Sequence, residues 1–420
     1  MPERFLRRLL RPAALRVLLC AALLAVILPV AARSAERHQV FLPLMKKPSV
    51  YGVLQPKAAY EQSSLQAGLT LRTLEIGWRT YEPRDGVFNQ AYIDEQRATL
   101  ARMRAAGFQV VLDLGVQYPP DWVLARPNSR FVNQHGEAFA GGQGINGVNA
   151  VFNQELRDLQ ARYARRVFAD LGVDFYAVRL GWGYFNELKY PPAEYNGRAN
   201  LYWAFDPIAQ GRAPGLPPGM RPAPRPGWQP GTPSADHADA AAFVAWYLGS
   251  LEQYHDWQLA TVRASYPGRL MMLYPSWGLR PGQVEAAVAG DLGGTTPAEV
   301  NGELQRGLDF ARLVEGTRDP LLVLYTTWLD APDEGDGGDD PARWSPARYL
   351  SALARAHPLN LGVWGENSGR NSERDMARCL RQVQANGLQG MFWAFEPDLY
   401  GDQYASLQSF VRLRAELAAP

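Results

Sequence analysis

A (β/α)8 barrel with a long Pro/Gly-rich insertion after its fourth strand is the fold this sequence predicts, on three observations. Eight apolar, strand-like runs recur after residue 50. Amphipathic segments of helical period separate them. Chemically distinctive residues follow several of the runs rather than one. Continuous apolar runs suit parallel strands covered on both faces. Strands alternating with helices in one chain of 420 residues point to a closed barrel. A doubly wound open sheet is the competing arrangement, but it does not explain distinctive residues after so many strands.

The predicted strands are Tyr51–Leu54, Leu71–Trp78, Val110–Leu114, Phe175–Trp182, Leu270–Tyr274, Leu321–Trp328, Leu361–Trp364 and Met391–Phe395. Between them, Ile93, Leu100 and Met103 form one helical stripe, and Leu156, Leu159, Tyr163, Val167 and Leu171 another. Ser345-Pro346 reads as a capping serine followed by proline in the first turn. Ser372-Glu373-Arg374-Asp375 has a capping-box pattern. Residues 190 to about 235 are crowded with proline and glycine, and a barrel would carry them as a long loop on the rim above the strand C-termini.

Residues 1–35 read as a secretory signal. Arg4, Arg7, Arg8, Arg11 and Arg16 precede an apolar run from Val17 to Ala32, with small residues around the exit. The expected location is therefore extracellular or periplasmic, with membrane attachment only if this segment is retained as an anchor. Residues 36–50 read as a linker and 51–420 as the barrel. Cys20 and Cys379 are the only cysteines, and Cys379 shares a helical stripe with Met376, Leu380 and Val383, as a core thiol would. The net charge of +1 gives no basic signature for nucleic acid. Oligomeric state is not readable.

Two segments carry the chemistry: Gly181-Trp182-Gly183-Tyr184-Phe185-Asn186-Glu187 and Val363-Trp364-Gly365-Glu366-Asn367. Each sets a glutamate just past an apolar strand, where an unpaired buried charge is costly. A barrel brings strand ends far apart in sequence onto one rim. Paired carboxylates, one protonated and one ionised, are the equipment for cutting glycosidic bonds. Aromatic side chains support a sugar site. Trp78, Trp182, Trp277, Trp328, Trp364 and Trp393 all fall at or near strand ends, where aromatic faces can stack on pyranose rings. Glu396 and Asp398 are further carboxylates after strand eight, and Glu396 is a candidate for binding substrate.

Asn186-Glu187 after strand four, with Glu366 ending strand seven, resembles the retaining (β/α)8 glycosidases of clan A, including the family 42 β-galactosidases and family 5 glycanases. Leu71-Arg72-Thr73-Leu74-Glu75-Ile76-Gly77-Trp78, Tyr81-Glu82-Pro83 and Gly86-Val87-Phe88 are similar to the opening of that clan. The resemblance implies Glu187 as acid/base and Glu366 as nucleophile. It implies Asn186 on a substrate hydroxyl, Arg72 and Tyr325 orienting the nucleophile, and Trp393 stacking under the sugar. A second resemblance is to the β-amylases, inverting enzymes on the same fold. It rests on Asn186-Glu187-Leu188-Lys189-Tyr190-Pro191 and Gly365-Glu366-Asn367, but that family has Gly in place of Asn186 and Arg in place of Lys189.

The expected protein is a secreted hydrolase of oligo- or polysaccharide, probing the sugar with Trp182, Trp277 and Trp328 as well. The alternatives are an inverting glucan hydrolase and a non-catalytic carbohydrate-binding barrel. No cofactor or metal is expected. The five histidines lack ligand spacing. Gly142-Gln143-Gly144-Ile145-Asn146-Gly147 matches a dinucleotide fingerprint in letters but does not directly follow a strand, and reads as a rim loop. Asp333–Asp340 lacks calcium-loop spacing and reads as a solvated loop. No Gly-x-Ser-x-Gly elbow is present.

Overall fold

The computed structural model describes residues 49–142, 145–298 and 301–418. The expected signal and most of the linker lie outside these residues. Eight parallel strands close into a barrel in sequence order: β1 (Val50–Val53), β2 (Leu69–Glu75), β3 (Gln109–Asp113), β4 (Ala177–Leu180), β5 (Arg269–Tyr274), β6 (Leu322–Thr326), β7 (Gly362–Glu366) and β8 (Gly390–Trp393). β8 pairs back onto β1, so no edge strand is left open. All eight overlap the predicted runs, with their ends shifted by up to three residues in either direction.

Helices follow the strands on the outside. The stripe residues of Gln154–Leu171 are buried, with Asn153 capping by accepting from the Glu155 amide. Ser345 caps Pro346–Ala356, and Ser372 and Asp375 complete a reciprocal capping box at the start of Glu373–Asn386. Cys379 is a buried free thiol on that last helix.

Because strand side chains alternate, each strand feeds two cores. Leu71, Val111, Ala177, Met271, Val323, Trp364 and Phe392 fill the barrel interior. Leu74, Leu112, Val178, Met272, Leu324, Val363 and Trp393 pack outward against the helices. The apolar inner layer is the floor on which the C-terminal rim is built.

Residues 181–237, between β4 and helix Ala238–Arg263, contain only short turns of 3-10 helix. The segment packs into the body of the protein. Leu201, Tyr202, Trp203 and Ala204 are fully buried. The Trp203 amide donates to Tyr247 Oη, and Trp246 Nε1 donates to the Arg221 carbonyl, which ties the segment to helix Ala238–Arg263. Asp333, in the aspartate-rich loop, accepts from Arg348 and from the Ser345 amide. No helix among the described residues is long and apolar enough to cross a membrane.

Candidate active site

Inward-facing positions decide which side chains meet on the rim. Above the apolar floor, Glu75 pairs in register with Asp113 across β2–β3, and Asp113 with Arg179 across β3–β4. These three polar side chains therefore stand side by side. On the other half of the barrel Tyr325 and Thr327 leave β6 on one face, and Glu366 ends β7.

Glu366 is held from two sides. Tyr325 Oη donates to its Oε2 at 2.7 Å, and Arg179 donates to the same oxygen at 2.9 Å. Arg179 also lies 3.4 Å from Asp113. Burial works against the Arg179 charge, but Glu366, Tyr325 and Asp113 outweigh it and push its pKa up. Burial pushes the Glu366 carboxyl above its ordinary range, with Arg179 and Tyr325 pulling the other way. Among the described residues Oε1 receives no hydrogen bond, so one oxygen is fixed and the other faces the cavity free. Asn367 staples the next strand in place: its amide donates to the Ala394 carbonyl at 2.6 Å and its Oδ1 accepts from the Ala394 amide at 2.7 Å.

Glu187 arrives by a tight reversal after β4. Trp182, Phe185 and Asn186 all have left-handed φ, at 55°, 63° and 59°. Such conformations cost energy in non-glycine residues and need support from their surroundings. Gly181 supplies space: a Cβ there would meet the Asn186 carbonyl oxygen at 2.2 Å. Asn186 donates to both oxygens of Asp113 at 3.0 Å, and its Oδ1 accepts from the Trp182 amide at 3.3 Å. The Leu188 amide then pins the chain to the Leu273 carbonyl. Between these anchors Glu187 projects over the rim, accepting from Thr327 Oγ1 at 2.9 Å and from Lys189 Nζ.

Both glutamates line a cavity of about 540 Å³, together with Glu75, Asp113, Gln117, Tyr118, Arg179, Trp328 and Phe395. Glu75 is pushed up to about 7 by burial and by Asp113, against Tyr118 and Arg179. A second cavity of about 510 Å³ shares Phe185, Glu187 and Trp328 with the first and extends past Lys189, Pro192, Glu194 and Arg306. Glu187 thus stands between two neighbouring hollows and lines both. Ile145, from the glycine-rich rim loop, lines the first. Of the insertion, only Pro192–Glu194 reach the hollows, at the second.

Several expected site residues are elsewhere. Arg72 does not orient Glu366. It faces outward on β2, fully buried, and donates to Glu396 at 2.7 Å. Glu396 is likewise buried, accepting also from Ser64 and the Lys57 amide, so it is a structural ion pair rather than a sugar ligand. Trp393 is 1% exposed and faces the helices. Phe395, two residues on, lines the cavity instead. Trp182 is 1% exposed and packs edge-on against Trp257. Trp277 lies outside both hollows, with the Arg280 guanidinium over its ring. Asn186, Tyr325, Trp328, Glu187 and Glu366 do gather at the rim. Arg179, Asp113, Glu75 and Thr327 were missed by the sequence reading. The signal was the two-residue alternation: Arg179, Asp113 and Thr327 fall two positions from an inward apolar or site residue, and Glu75 four from inward Leu71.

Among the described residues no cluster of three or more His, Cys, Asp or Glu is placed to hold a metal ion. The closed (β/α)8 barrel is a fold shared with solved β-amylase and β-galactosidase structures. The structure is similar to the catalytic domain of β-amylase from Paenibacillus polymyxa, with TM-score 0.60 at 16% identity, covering 88% of this chain and 99% of that one. It is also similar to β-galactosidases from the haloarchaeon Halorubrum lacusprofundi (TM-score 0.54, 15% identity) and from Marinomonas ef1 (TM-score 0.56, 13% identity). Each match covers 88% of this chain, which spans only 58% and 59% of those two. No protein-family model matches the sequence, and no curated protein is found as a relative by sequence.

Proposed function

We propose that the protein is a glycoside hydrolase acting on an oligo- or polysaccharide by a two-step, retaining mechanism. The observation that carries this reading is the pair of carboxylates, one after β4 and one ending β7, on one cavity, held by neighbouring residues at the end of β6: Glu366 by Tyr325 and Glu187 by Thr327, just past the strand. In the first step the free oxygen of Glu366 attacks the anomeric carbon while Glu187 gives a proton to the departing oxygen. In the second step Glu187 takes a proton from water, which attacks the same carbon and releases Glu366. Arg179 and Tyr325 favour the ionised form of Glu366 that the first step requires, and orient it. The sugar whose bond is cut sits in the first cavity, near Glu75, Asp113 and Phe395. The leaving group occupies the second, with Phe185 and Trp328 at the junction. A leaving group in a hollow of about 510 Å³ has room to be a sugar. β-Galactosides and β-glucosides are the substrates to try first, after the resemblance in the sequence. We read the chain as exported, on the composition of residues 1–35.

The test is proton NMR of the first anomer released, on substrates found by a panel of nitrophenyl glycosides and oligosaccharides. Retention supports the reading. First appearance of the opposite anomer makes Glu366 a base acting on water, as in the β-amylase-like alternative. Absence of turnover across the panel favours a non-catalytic carbohydrate-binding barrel.

A further inference from the structure

Lys189 is an unusual residue in an unusual place. The chain has 43 Lys plus Arg, of which only Lys46, Lys47, Lys57 and Lys189 are lysines, leaving 43 − 4 = 39 arginines. Where this chain puts a cation it almost always puts arginine, which does not release its proton in proteins. The exception is the buried cation beside Glu187. The Lys189 side chain is 8% exposed, its Nζ donates to Glu187 Oε2, and the rings of Tyr184 and Phe185 lie 5.6 and 5.4 Å from that nitrogen. The other charged groups facing it are Arg306 and, behind Arg306, the buried Glu303 at 3.6 Å from that guanidinium. Glu194 lines the same hollow from the exposed side.

We propose that Lys189 and Glu187 together hold the proton delivered to the leaving group, with Lys189 as its store. This rests on the glycosidase reading of the site. As the glycosidic C–O bond breaks, its electron pair goes to the leaving oxygen, which takes the proton from Glu187. That proton has reached the Glu187 carboxylate from an ammonium N–H of Lys189, so its delivery leaves Glu187 ionised beside a neutral amine. In the second half, water loses a proton to Glu187, which passes it to the amine, while the water oxygen displaces Glu366. The sum is hydrolysis, with both residues returned to their starting state. Burial assists: it pushes the Lys189 ammonium below the usual lysine range, although Glu187 works against this. A buried ion pair and its neutral counterpart are closer in energy than they would be in water. Lys189 touches Glu187 and not the reacting atoms, so it is a positioning residue.

Two variants separate proton storage from simple charge. Lys189→Arg keeps the cation but removes the releasable proton. Its kcat/KM should fall about 100-fold on glycosides of poor leaving groups, and at least tenfold less on dinitrophenyl glycosides, whose leaving oxygen needs no proton. Lys189→Met should move the alkaline limb of the pH profile toward acid. Rescue by arginine, or an alkaline limb unmoved in Lys189→Met, overturns the proposal. A second readout needs no substrate. With 15N-labelled lysine in the full chain only four side-chain resonances exist, and the one lost in Lys189→Arg should titrate below the other three. If it titrates with them near 10.4, there is no shared proton. Wild type that turns over no glycoside removes the glycosidase reading, and the NMR titration then still decides whether the pair shares a proton.

Discussion

Two buried arginine–glutamate pairs stand on opposite faces of the same barrel wall. Arg179–Glu366 points inward, at 2.9 Å, and lines the cavity. Arg72–Glu396 points outward, at 2.7 Å, under the segment carrying Lys57, Glu61 and Ser64. Their chemistry is the same, and the second is the more deeply buried. The difference is what remains unsatisfied. Glu396 receives Arg72 and Ser64 on one oxygen and the Lys57 amide on the other, so neither is free to react. Glu366 has both donors on one oxygen and leaves the other open to the cavity. A carboxylate saturated by its surroundings is a strut, and one held by half is available for chemistry.

The largest effect should come from breaking the inward pair. Glu366→Gln should lower kcat by about four orders of magnitude while the fold survives, because Asp113 still faces the Arg179 charge. Steady-state kinetics beside thermal unfolding checks both halves. Near wild-type turnover would show that the nucleophile is elsewhere. Breaking the outward pair should do the reverse. Glu396→Gln leaves Arg72 with a partial partner in Glu61 and should cost about 3–5 kcal/mol of stability, read from denaturant midpoints, with kcat of the folded protein within about threefold. A selective loss of kcat there would put Glu396 back in the site.

Removing one donor sharpens the comparison. Tyr325→Phe should reduce kcat about 100-fold with little change in KM, since the hydroxyl acts on Glu366 rather than on bound sugar. The smallest effect concerns Glu75, whose folded-state value of about 7 lies above the ordinary 4.5. The folded protein binds this proton more tightly than the unfolded chain, so its contribution to stability is lost as pH rises from about 4.5 to about 7. Relative to Glu75→Gln, wild type should therefore lose a few degrees of Tm across that window. A constant difference would mean that Glu75 titrates as an ordinary carboxyl.

The same alternation explains what could be read in the sequence. Apolar runs locate strands whichever face a residue takes, so all eight strands, the caps at Ser345 and Ser372 and the rim positions of Glu187 and Glu366 were legible. Side-chain direction was not, because a shift of one residue reverses it. Trp393 was expected under the sugar but faces the helices, and Phe395 takes that wall. Arg72 was expected on Glu366, and Arg179 occupies the place. Counting by twos from Leu71 leads to Thr73 and Glu75, and from Ala177 to Arg179, which would have found the missed residues. The insertion after β4 was visible as composition, but its burial against helix Ala238–Arg263 depends on Tyr247 and Trp246, contacts no local pattern announces.

The most direct test of the central claim is azide rescue of Glu366→Gly on a glycoside with an activated leaving group. Removing the side chain opens the position from which Glu366 attacks, and azide can enter it as an external nucleophile. If Glu366 is the nucleophile, azide restores turnover and the product is a glycosyl azide of configuration opposite to the substrate. Failure of azide to raise the rate of this variant, or restored hydrolysis without a glycosyl azide, would contradict the assignment.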